Sequence, residues 1–359
     1  MNIPKLRFKD NNGNDYPQWE KKLIKDILKI YHGKDYKNEP NEKKLYPVLG
    51  TGGIITYIDK FLCDWECVLI GRKGTINKPQ YMKTPFWSVD TLFYSKPKLK
   101  QNPKFQYYLF QNINWKIYDE STGVPSLSAS TIEHINRFIP TYAEQEKIAS
   151  FFSTIDKKIE NLANTITSLE NQKKGLLQQI FSQKLRFKDE NGNNNYTSYY
   201  LYELIKDIKS GNNKERIKTG LFPVYGSMGI LGYNNNYIYD FTTILIARVG
   251  MNAGNVSLVT GKYDVSDNTL IIIPSNKINI YYLYYYLINF NLNKLVFGSG
   301  QPLIKASELK KIIIKIPCLE EQTKIADFLS AFDRKLENQK TQLEHWKQIK
   351  KGLLQQMFV

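Results

Sequence analysis

Cysteine and histidine are scarce in this chain of 359 residues, which contains only three of each. Three cysteines are too few, and odd in number, for a disulfide framework, so the sequence favours a reducing cytoplasm. Cys63 and Cys67 with the distant His32 lack the spacing of a zinc knuckle, and buried free thiols are the preferred interpretation. The histidines form no visible catalytic triad. The sequence therefore predicts neither a metal site nor a catalytic residue.

Several signals of enzymes and membrane proteins are also absent. No apolar run approaches the ~20 residues of a membrane span, and the N-terminal MNIPKLRFKD lacks the apolar core of a signal peptide. There is no G-x-G-x-x-G loop, no Walker loop and no NPPF- or DPPY-type tetrapeptide for a flipped adenine. A nuclease-like pattern can be forced from Asp10 and residues 20–22, but acids beside lysines are common in so charged a chain. We expect no cofactor and no membrane partner.

Positive charge is what the chain has in excess. It carries 50 Lys and Arg against 34 Asp and Glu, for a formal net charge of +16 and a pI of about 9.4. Such a balance favours an anionic partner, with nucleic acid ahead of an acidic membrane surface.

The chain repeats itself. KLRFKDNNGNDY at 5–16 returns as KLRFKDENGNNNY at 184–196, and 21 of 43 positions match between residues 139–181 and 316–358. STGVPSLSAS also aligns with GSGQPLIKAS at the same offset as the tails. Thinner matches upstream place YPVLGTGGIITY over FPVYGSMGILGY and VLIGRKGT over ILIARVGM. Each copy therefore has a divergent body and a well-matched tail, and self-similarity of this kind sets the fold. The KLRFKD that should follow the second tail stands at the N-terminus, so the repeat is cyclic and we expect the chain ends to lie close together.

The sequence of each tail predicts a long helix. Pro140 and Pro317 precede the tails, acidic residues occupy the first turns, and apolar residues recur at a spacing of four and three, which is a coiled-coil seam. Matched registers and a two-fold relation between the copies predict that the two helices pack antiparallel, with a body at either end. Two independent amphipathic helices are the alternative. The tails are close to electrically neutral, so the positive charge lies essentially in the bodies.

Each body reads as mixed α/β. CVLIG, TTILIA, TLFYS and NTLIII have the β-branched, apolar character of strands, and the glycines at 50, 52, 53, 226 and 229 suit tight turns between strands. KFQYYLFQNI and NIYYLYYYLINF have the length and amphipathicity of helices, although their tyrosines leave strand open.

The cyclic layout, the P-x-x-x-EQ-x-KIA pattern that begins each tail and the KKGLLQQ(I/M)F that ends it resemble the specificity subunit of type I restriction-modification systems, over essentially the whole chain. The resemblance implies an α+β fold in which two mixed α/β target recognition domains form a cyclic tandem repeat, separated by two long antiparallel coiled-coil helices. The implied segments are a first recognition domain (1–142), a first conserved helix (143–183), a second recognition domain (184–319) and a second conserved helix (320–359).

The resemblance also implies a non-catalytic, cytoplasmic subunit. Each recognition domain would read one half of a split site on double-stranded DNA, and the helices would set the gap between the halves. Two methyltransferase subunits would dock on the chain, and restriction subunits would join through them.

Candidate DNA contacts follow the repeated strands. Arg to guanine is the commonest specific base contact and Asn suits adenine. The candidates for base edges are Arg72, Lys73, Asn77, Arg248, Asn252 and Asn255. Thr51 and Ser227, in the glycine turns, are candidates for phosphate. The further phosphate candidates are Lys34, Lys43, Lys44, Lys78, Lys83, Lys214, Arg216 and Lys218, although any single surface lysine can equally be a solvated charge.

Three other interpretations stay open from the residues alone. The chain could serve another restriction-methylation architecture, such as a fused protein. It could be a nuclease with an unrecognised site. It could be a coiled-coil scaffold that never meets DNA.

Overall fold

The computed structural model describes residues 4–187, 195–213, 218–298 and 300–358. The chain forms two compact units: unit 1 holds residues 1–163 and 341–359, and unit 2 holds residues 164–340. Each long tail helix is thus divided between the units. The four segments expected from the sequence have boundaries that differ from those of the two units, and the segment boundaries stay a prediction.

Unit 1 is a mixed α/β fold built on two small sheets. Its four-stranded sheet has the order β2-β8-β5-β6, its three-stranded sheet the order β4-β3-β7, and β1 pairs with β9. The elements are β1 (Glu20–Leu23), α1 (Ile24–Ile27), β2 (Leu28–His32), β3 (Tyr46–Gly50), β4 (Gly53–Ile58), β5 (Cys67–Gly71), β6 (Gln80–Met82), β7 (Trp87–Ser88), β8 (Leu92–Pro97), α2 (Pro103–Asn112), α3 (Ala129–Glu133), β9 (Asn136–Ile139) and the first part of α4 (Tyr142–Phe181).

Unit 2 repeats this plan. Its sheets have the orders β11-β18-β15-β16 and β13-β12-β17-β14, and β10 pairs with β19. The elements are β10 (Thr197–Tyr200), α5 (Leu201–Leu204), β11 (Asp207–Ser210), β12 (Phe222–Gly226), β13 (Gly229–Asn234), β14 (Tyr239–Asp240), β15 (Thr243–Ala247), β16 (Val256–Val259), β17 (Lys262–Val265), β18 (Thr269–Ile273), α6 (Ile280–Phe290), α7 (Ala306–Lys310), β19 (Ile313–Ile316) and the first part of α8 (Leu319–Met357).

The four strands expected from apolar runs are confirmed as β5, β8, β15 and β18, and both tyrosine-rich segments are helices. Each of these helices, α2 and α6, begins after an asparagine, Asn102 or Asn279, whose side chain accepts hydrogen bonds from the first-turn N–H groups. In α6 the buried residues are Tyr282, Leu283, Tyr285 and Leu287, which pack against the core, whereas Tyr281 is exposed.

Strands β5 and β15 are buried on both faces. Val68 and Ile70 belong to the core that contains α2, whereas Leu69 belongs to the core under the smaller sheet. In unit 2, Ile244 and Ile246 belong to the core that contains α6, and Leu245 belongs to the core under the other sheet. A strand covered on both sides must be apolar at every position, which explains the uninterrupted runs in the sequence.

The EQ pair of the repeated motif ties each tail helix to its unit. In unit 1 the buried Glu144 accepts two hydrogen bonds from Arg7, at 3.0 and 2.7 Å, and one from the indole of Trp19 at 3.0 Å. Gln145 accepts from the backbone N–H of Asn102 and donates to the carbonyl of Pro140, each at 3.0 Å. The motif is therefore a junction that joins KLRFKD, the start of α2 and the start of α4.

Unit 2 contains the same junction. Arg186 donates to both carboxylate oxygens of Glu321, at 2.8 and 2.9 Å, and Gln322 bonds to Asn279 and Pro317 at 3.0 Å. A bidentate Arg–carboxylate pair is among the stronger charged hydrogen-bonding arrangements, so it explains why KLRFKD and EQ both recur.

Within each unit the two tail helices pack antiparallel. Helices α4 and α8 have 40 and 39 residues. In unit 1, Asp156 on α4 pairs with Lys350 on α8, and in unit 2, Lys173 on α4 pairs with Asp333 on α8. Six apolar residues form the predicted seam of the first tail. Ile155, Leu162, Ile166 and Leu169 are buried, and Ile159 and Leu176 are half-buried. The antiparallel arrangement expected from the matched registers is thus confirmed.

The predicted proximity of the chain ends is also confirmed. In unit 1, the N–H of Leu6 donates to the carbonyl of Gln356 at 3.1 Å. At the internal junction, the N–H of Leu185 donates to the carbonyl of Gln179 at 3.0 Å. The same bond therefore forms once along a continuous backbone and once across the chain ends.

Each unit displays a β-hairpin with one bulge. The pairing of β3 with β4 shifts between Val48 and Leu49, so Ile55 is the extra residue, and Leu231 is the extra residue of the β12–β13 hairpin. A Cβ on Gly50 would lie 2.7 Å from Cδ1 of Ile55, and a Cβ on Gly226 would lie 2.2 Å from Cδ1 of Leu231. These glycines make room for the bulged side chain, which explains their recurrence in both copies.

Candidate nucleic-acid interface

Arg72 and Arg248 occupy equivalent positions at the end of β5 and β15. The N–H of Arg72 donates to Thr91 at 2.8 Å, and its carbonyl accepts from Leu127 at 2.9 Å; Arg248 bonds in the same way to Asn268 and Ile304. Each backbone is thus held from two sides by other loops.

The two guanidinium groups also have matching environments. Nη1 of Arg72 donates to the carbonyl of Asp90 at 3.3 Å. Nη1 of Arg248 donates to the carbonyl of Asp267 at 3.4 Å and to Oγ of Ser210 at 3.0 Å. Each Arg has five N–H donors. Within the part of the chain that the structure describes, Nε and Nη2 of both make no hydrogen bond, so a fork of donors remains for an outside partner.

A second loop lies against each Arg loop and was not assigned a role from the sequence. The N–H of Gly74 donates to the carbonyl of Pro125 at 2.8 Å, and Gly250 donates to Pro302 at 2.9 Å. These prolines belong to STGVPSLSAS and GSGQPLIKAS, the weakly matched segments at 121–130 and 298–307. Their repetition was the available signal, but only the fold shows that they adjoin the arginines.

In unit 1 the two loops enclose a cleft of about 440 Å³. Arg72, Lys73 and His32 contribute to it from one side, and hydroxyls of Ser126, Ser128 and Ser130 from the other. Asp119 braces this loop, since its carboxylate accepts from the N–H groups of Ser126 and Ser121, and these bonds hold the pKa of Asp119 below its ordinary value. Glu120 also lines the cleft, so the cleft combines two basic side chains and one carboxylate with serine hydroxyls, which suits the edge of a base better than a phosphate.

In unit 2 three of the predicted residues come together. Ser227 at the hairpin tip and Asn252 and Asn255 in the loop after β15 line one cleft of about 370 Å³. In unit 1 the corresponding Thr51 lies near the turn at Gly74. A Cβ placed on Gly74 would lie 3.9 Å from Oγ1 of Thr51. Asn77 and Lys78 are exposed in the same loop.

The candidate phosphate contacts are more scattered. All of the described lysines among them are exposed, namely Lys34, Lys43, Lys44, Lys78, Lys83 and Lys218. Lys73, a base-edge candidate, is exposed as well. Lys214 and Arg216 lie outside the described residues. Lys83 lines a different cleft, of about 530 Å³, beside Asp156 and Lys104. Its neighbour Lys104 lies 4.0 Å from the ring centroid of Tyr81, and burial lowers the pKa of Lys104. The structure therefore does not bring all these lysines together, and their contact with DNA stays a prediction.

The residues considered for other chemistry have local roles. Asp10 accepts from the N–H groups of Asn12 and Asn14 in an exposed turn. Cys63 and Cys67 are buried with their sulfur atoms 3.9 Å apart; this hydrogen bond lowers the pKa of Cys63 and raises that of Cys67. Among the described residues no three His, Cys, Asp or Glu side chains group as metal ligands, and none of the described helices contains a candidate membrane span.

Comparison with known proteins identifies the family. A family model described as the type I restriction modification DNA specificity domain matches residues 16–171 and, a second time, residues 208–345. The chain belongs to the type I specificity-subunit family. Each match contains one Arg loop and one bulged hairpin, so the two copies of the sequence are two specificity domains in tandem.

Curated relatives carry the same family name. The chain is 23% identical over 415 residues to the type I restriction enzyme MjaVIII specificity subunit of Methanocaldococcus jannaschii, a match that covers 97% of this chain and 94% of that one. It is 30% identical over 113 residues to the EcoprrI specificity subunit of Escherichia coli, where the match covers 32% of this chain and 28% of the relative.

Solved structures share the fold of this family member. The S subunit of a type I restriction-modification system from M. genitalium has a TM-score of 0.73 at 20% identity, with 99% of both chains covered. A chain from work on complex assembly and conformational transition of the type I system has a TM-score of 0.56 at 12% identity, with 95% and 97% covered. The mixed α/β tandem architecture predicted from the sequence is thus confirmed.

Proposed function

We propose that this chain is the DNA-reading subunit of a type I restriction-modification complex. It binds an asymmetric, bipartite site on double-stranded DNA, one half-site per recognition domain. It also docks two methyltransferase subunits, and restriction subunits join through them. The chain itself is non-catalytic in this proposal, and the complex acts in the cytoplasm.

One observation carries the proposal: the same Arg-bearing loop, second loop and bulged hairpin recur in both units while the side chains around them differ. Arg72 is followed by Lys73 and Asn77, whereas Arg248 is followed by Val249, Asn252 and Asn255. A shared scaffold with different polar side chains is what two readers of different base sequences require.

Charge supports the same assignment. The net charge of +16 lies essentially outside the tail helices, so it is available to neutralise phosphates near the readers. The tail helices instead repeat a neutral sequence and the same Glu–Arg junction, which suits two equivalent docking sites for two copies of one partner.

The complex itself provides the test. The full chain, purified from its host with its bound partners, should carry two methyltransferase subunits per chain. Sequencing of methylated bases in the host should reveal a split motif whose two halves differ. A single continuous motif, or a palindromic one, would contradict the two-reader assignment.

DNA binding by the isolated chain gives a second test. Binding should weaken steeply as the salt concentration rises, because released counterions drive phosphate binding. Absence of salt-dependent DNA binding would favour a scaffold role, and magnesium-dependent cleavage by the isolated chain would favour a nuclease.

A further inference from the structure

The cleft in unit 2 lies between the tip of the β12–β13 hairpin and the loop that precedes β16. Its mouth is formed by Ser227, Met228 and Asn252, and its floor by residues of the central strands β15 and β18, including Thr269. The cleft is concave and has a volume of about 370 Å³, in the range of small-ligand sites.

Thr269 on the floor has an unsatisfied hydroxyl. The residue is 1% exposed, and its Oγ1 has no hydrogen-bond partner among the described residues. Thr243, equally buried in the neighbouring strand, donates instead to the carbonyl of Ile272. Buried polar groups are nearly always hydrogen-bonded, so an orphan hydroxyl on the floor of a cleft indicates a partner that arrives from outside.

The strand register shows how this cleft arises. Leu69 pairs with Gln80 as Leu245 pairs with Ser257, so Ser257 takes the place of Gln80. In unit 1, Nε2 of Gln80 reaches across and donates to the carbonyl of Gly50 at the hairpin, at 2.8 Å. The short side chain of Ser257 makes no such bridge and lines the open cleft instead.

Thr269 is a second difference between the units. Gly71 pairs with Leu92 as Ala247 pairs with Thr269, so the hydroxyl of unit 2 stands where unit 1 has an apolar side chain. The hairpin tip differs as well, because Met228 occupies the position of Gly52 and is 82% exposed. All three differences surround the same cleft.

The lining restricts the chemistry of the occupant. The described residues that line the cleft offer hydroxyls, amides and apolar surface, and none of them is charged. Phosphates are typically held by Lys, Arg or runs of N–H groups, so this cleft suits a neutral, hydrogen-bonding group with an apolar face. In DNA that group is a nucleobase.

A base inside a duplex offers only its edge to a protein, whereas a base that leaves the stack can enter a concave pocket. Apolar side chains such as methionine can insert between neighbouring base pairs and unstack them. We propose that the second recognition domain takes one extrahelical base of its half-site into this cleft. Thr269, Asn252 and Asn255 bond to the base, and Met228 fills the gap in the stack. The proposal rests on the DNA-reading function proposed above.

Base analogues in DNA test the insertion directly. The site is first selected from a random-sequence library by the full wild-type chain. Each base of the second half-site is then replaced in turn by 2-aminopurine or pyrrolocytosine, whose fluorescence rises when the base unstacks. We expect a several-fold rise at one position on binding.

Variants that copy residues of unit 1 into unit 2 provide the controls. S257Q introduces the residue that unit 1 already accepts and should abolish the rise while leaving the first half-site preference intact. S257A keeps the cleft open and should retain the rise. T269V and M228G should each reduce the rise and should be checked by thermal unfolding, so that the conclusion does not depend on one variant.

The outcomes separate this proposal from the function on which it rests. Wild-type binding with no fluorescence rise at any position, or an undiminished rise in S257Q, overturns the base-binding cleft alone. If S257Q changes the base preference at the second half-site but the wild type shows no rise in fluorescence, the base-binding cleft is also overturned. Failure of the wild-type chain to bind DNA overturns both.

Discussion

Nζ of Lys350 lies 2.6 Å from Oδ1 of Asp156 in unit 1, where the other carboxylate oxygen accepts from the hydroxyl of Tyr108 at 2.7 Å. Unit 2 contains the same triplet with the helices exchanged, because Lys173 of α4 pairs with Asp333 of α8, which accepts from Tyr285. The tail helices thus use one lysine and one aspartate each, and every tail contributes one partner to each unit.

This pair should couple measurably. Its side chains are 15% and 29% exposed, so the pair is less screened than a surface pair. We expect D156K and K350D each to lower the free energy of unfolding by about 1–3 kcal/mol, and the double variant to recover part of the loss. The unfolding midpoints of the four proteins measure the coupling. The exposed pair Glu344–Lys347, exchanged likewise, serves as control and should change little.

The Arg7–Glu144 pair should be more sensitive. Glu144 is fully buried, so R7A leaves a buried carboxylate without its bidentate partner, at a cost of about 3 kcal/mol. R7K should recover only part of this, because an ammonium cannot supply the two-pronged bond. R137A is a matched control, since within the described residues the guanidinium of Arg137 hydrogen-bonds only to the carbonyl of its neighbour Asn136. Equal unfolding midpoints for R7A and R137A would contradict the junction role.

Loss of either loop arginine should weaken recognition of one half-site only. If each guanidinium hydrogen-bonds to a base, R248A and R72A should each weaken the free energy of binding at their own half-site by about 1–3 kcal/mol. Each variant is the control for the other. Titration of DNA with one half-site scrambled at a time measures the effect. An equal loss on random DNA, as expected for the exposed Lys78 if it contacts phosphate, would make the arginine a phosphate contact.

Lengthening both tail helices should change the gap in the DNA motif. Seven residues inserted after Ala163 and seven after Lys340 keep the heptad register and add about 10 Å to each helix. That length corresponds to about three base pairs at 3.4 Å each. Sequencing of methylated bases in a host carrying the variant measures the gap. An unchanged gap would argue against a spacing role of the helices.

Patterns local in sequence predicted most of the fold. The seam of α4, the buried strand β5 and the two tyrosine-rich helices depend on periodicity and apolar runs, which the neighbouring residues already determine. The repetition of KLRFKD predicted that the chain ends meet. For these features each unit copies a pattern that is visible twice in the sequence.

Apart from the meeting of the chain ends and the packing of the two tail helices, contacts between distant parts of the chain were not predicted. Asn102, whose N–H donates to Gln145, is 43 residues away in sequence, and the role of the loop at 121–130 depends on its meeting Arg72. Thr269 looks like any β-branched strand residue until its strand partner and the neighbouring Ser257 are known. The candidate lysines show the converse, because surface charge by itself does not indicate which side of the domain a lysine occupies.

The bulge at Ile55 and Leu231 has a consequence for how such readers diverge. Side chains along a strand alternate between faces, so one residue more or less exchanges the two sets of side chains that a hairpin presents. Deleting the extra residue would exchange the side chains that face outward at the hairpin tip for those that face inward. One deletion would do this and would leave the glycine of the bulge and the rest of the domain unchanged. Insertions and deletions at this point, as well as point substitutions, therefore offer a short evolutionary route to a new half-site.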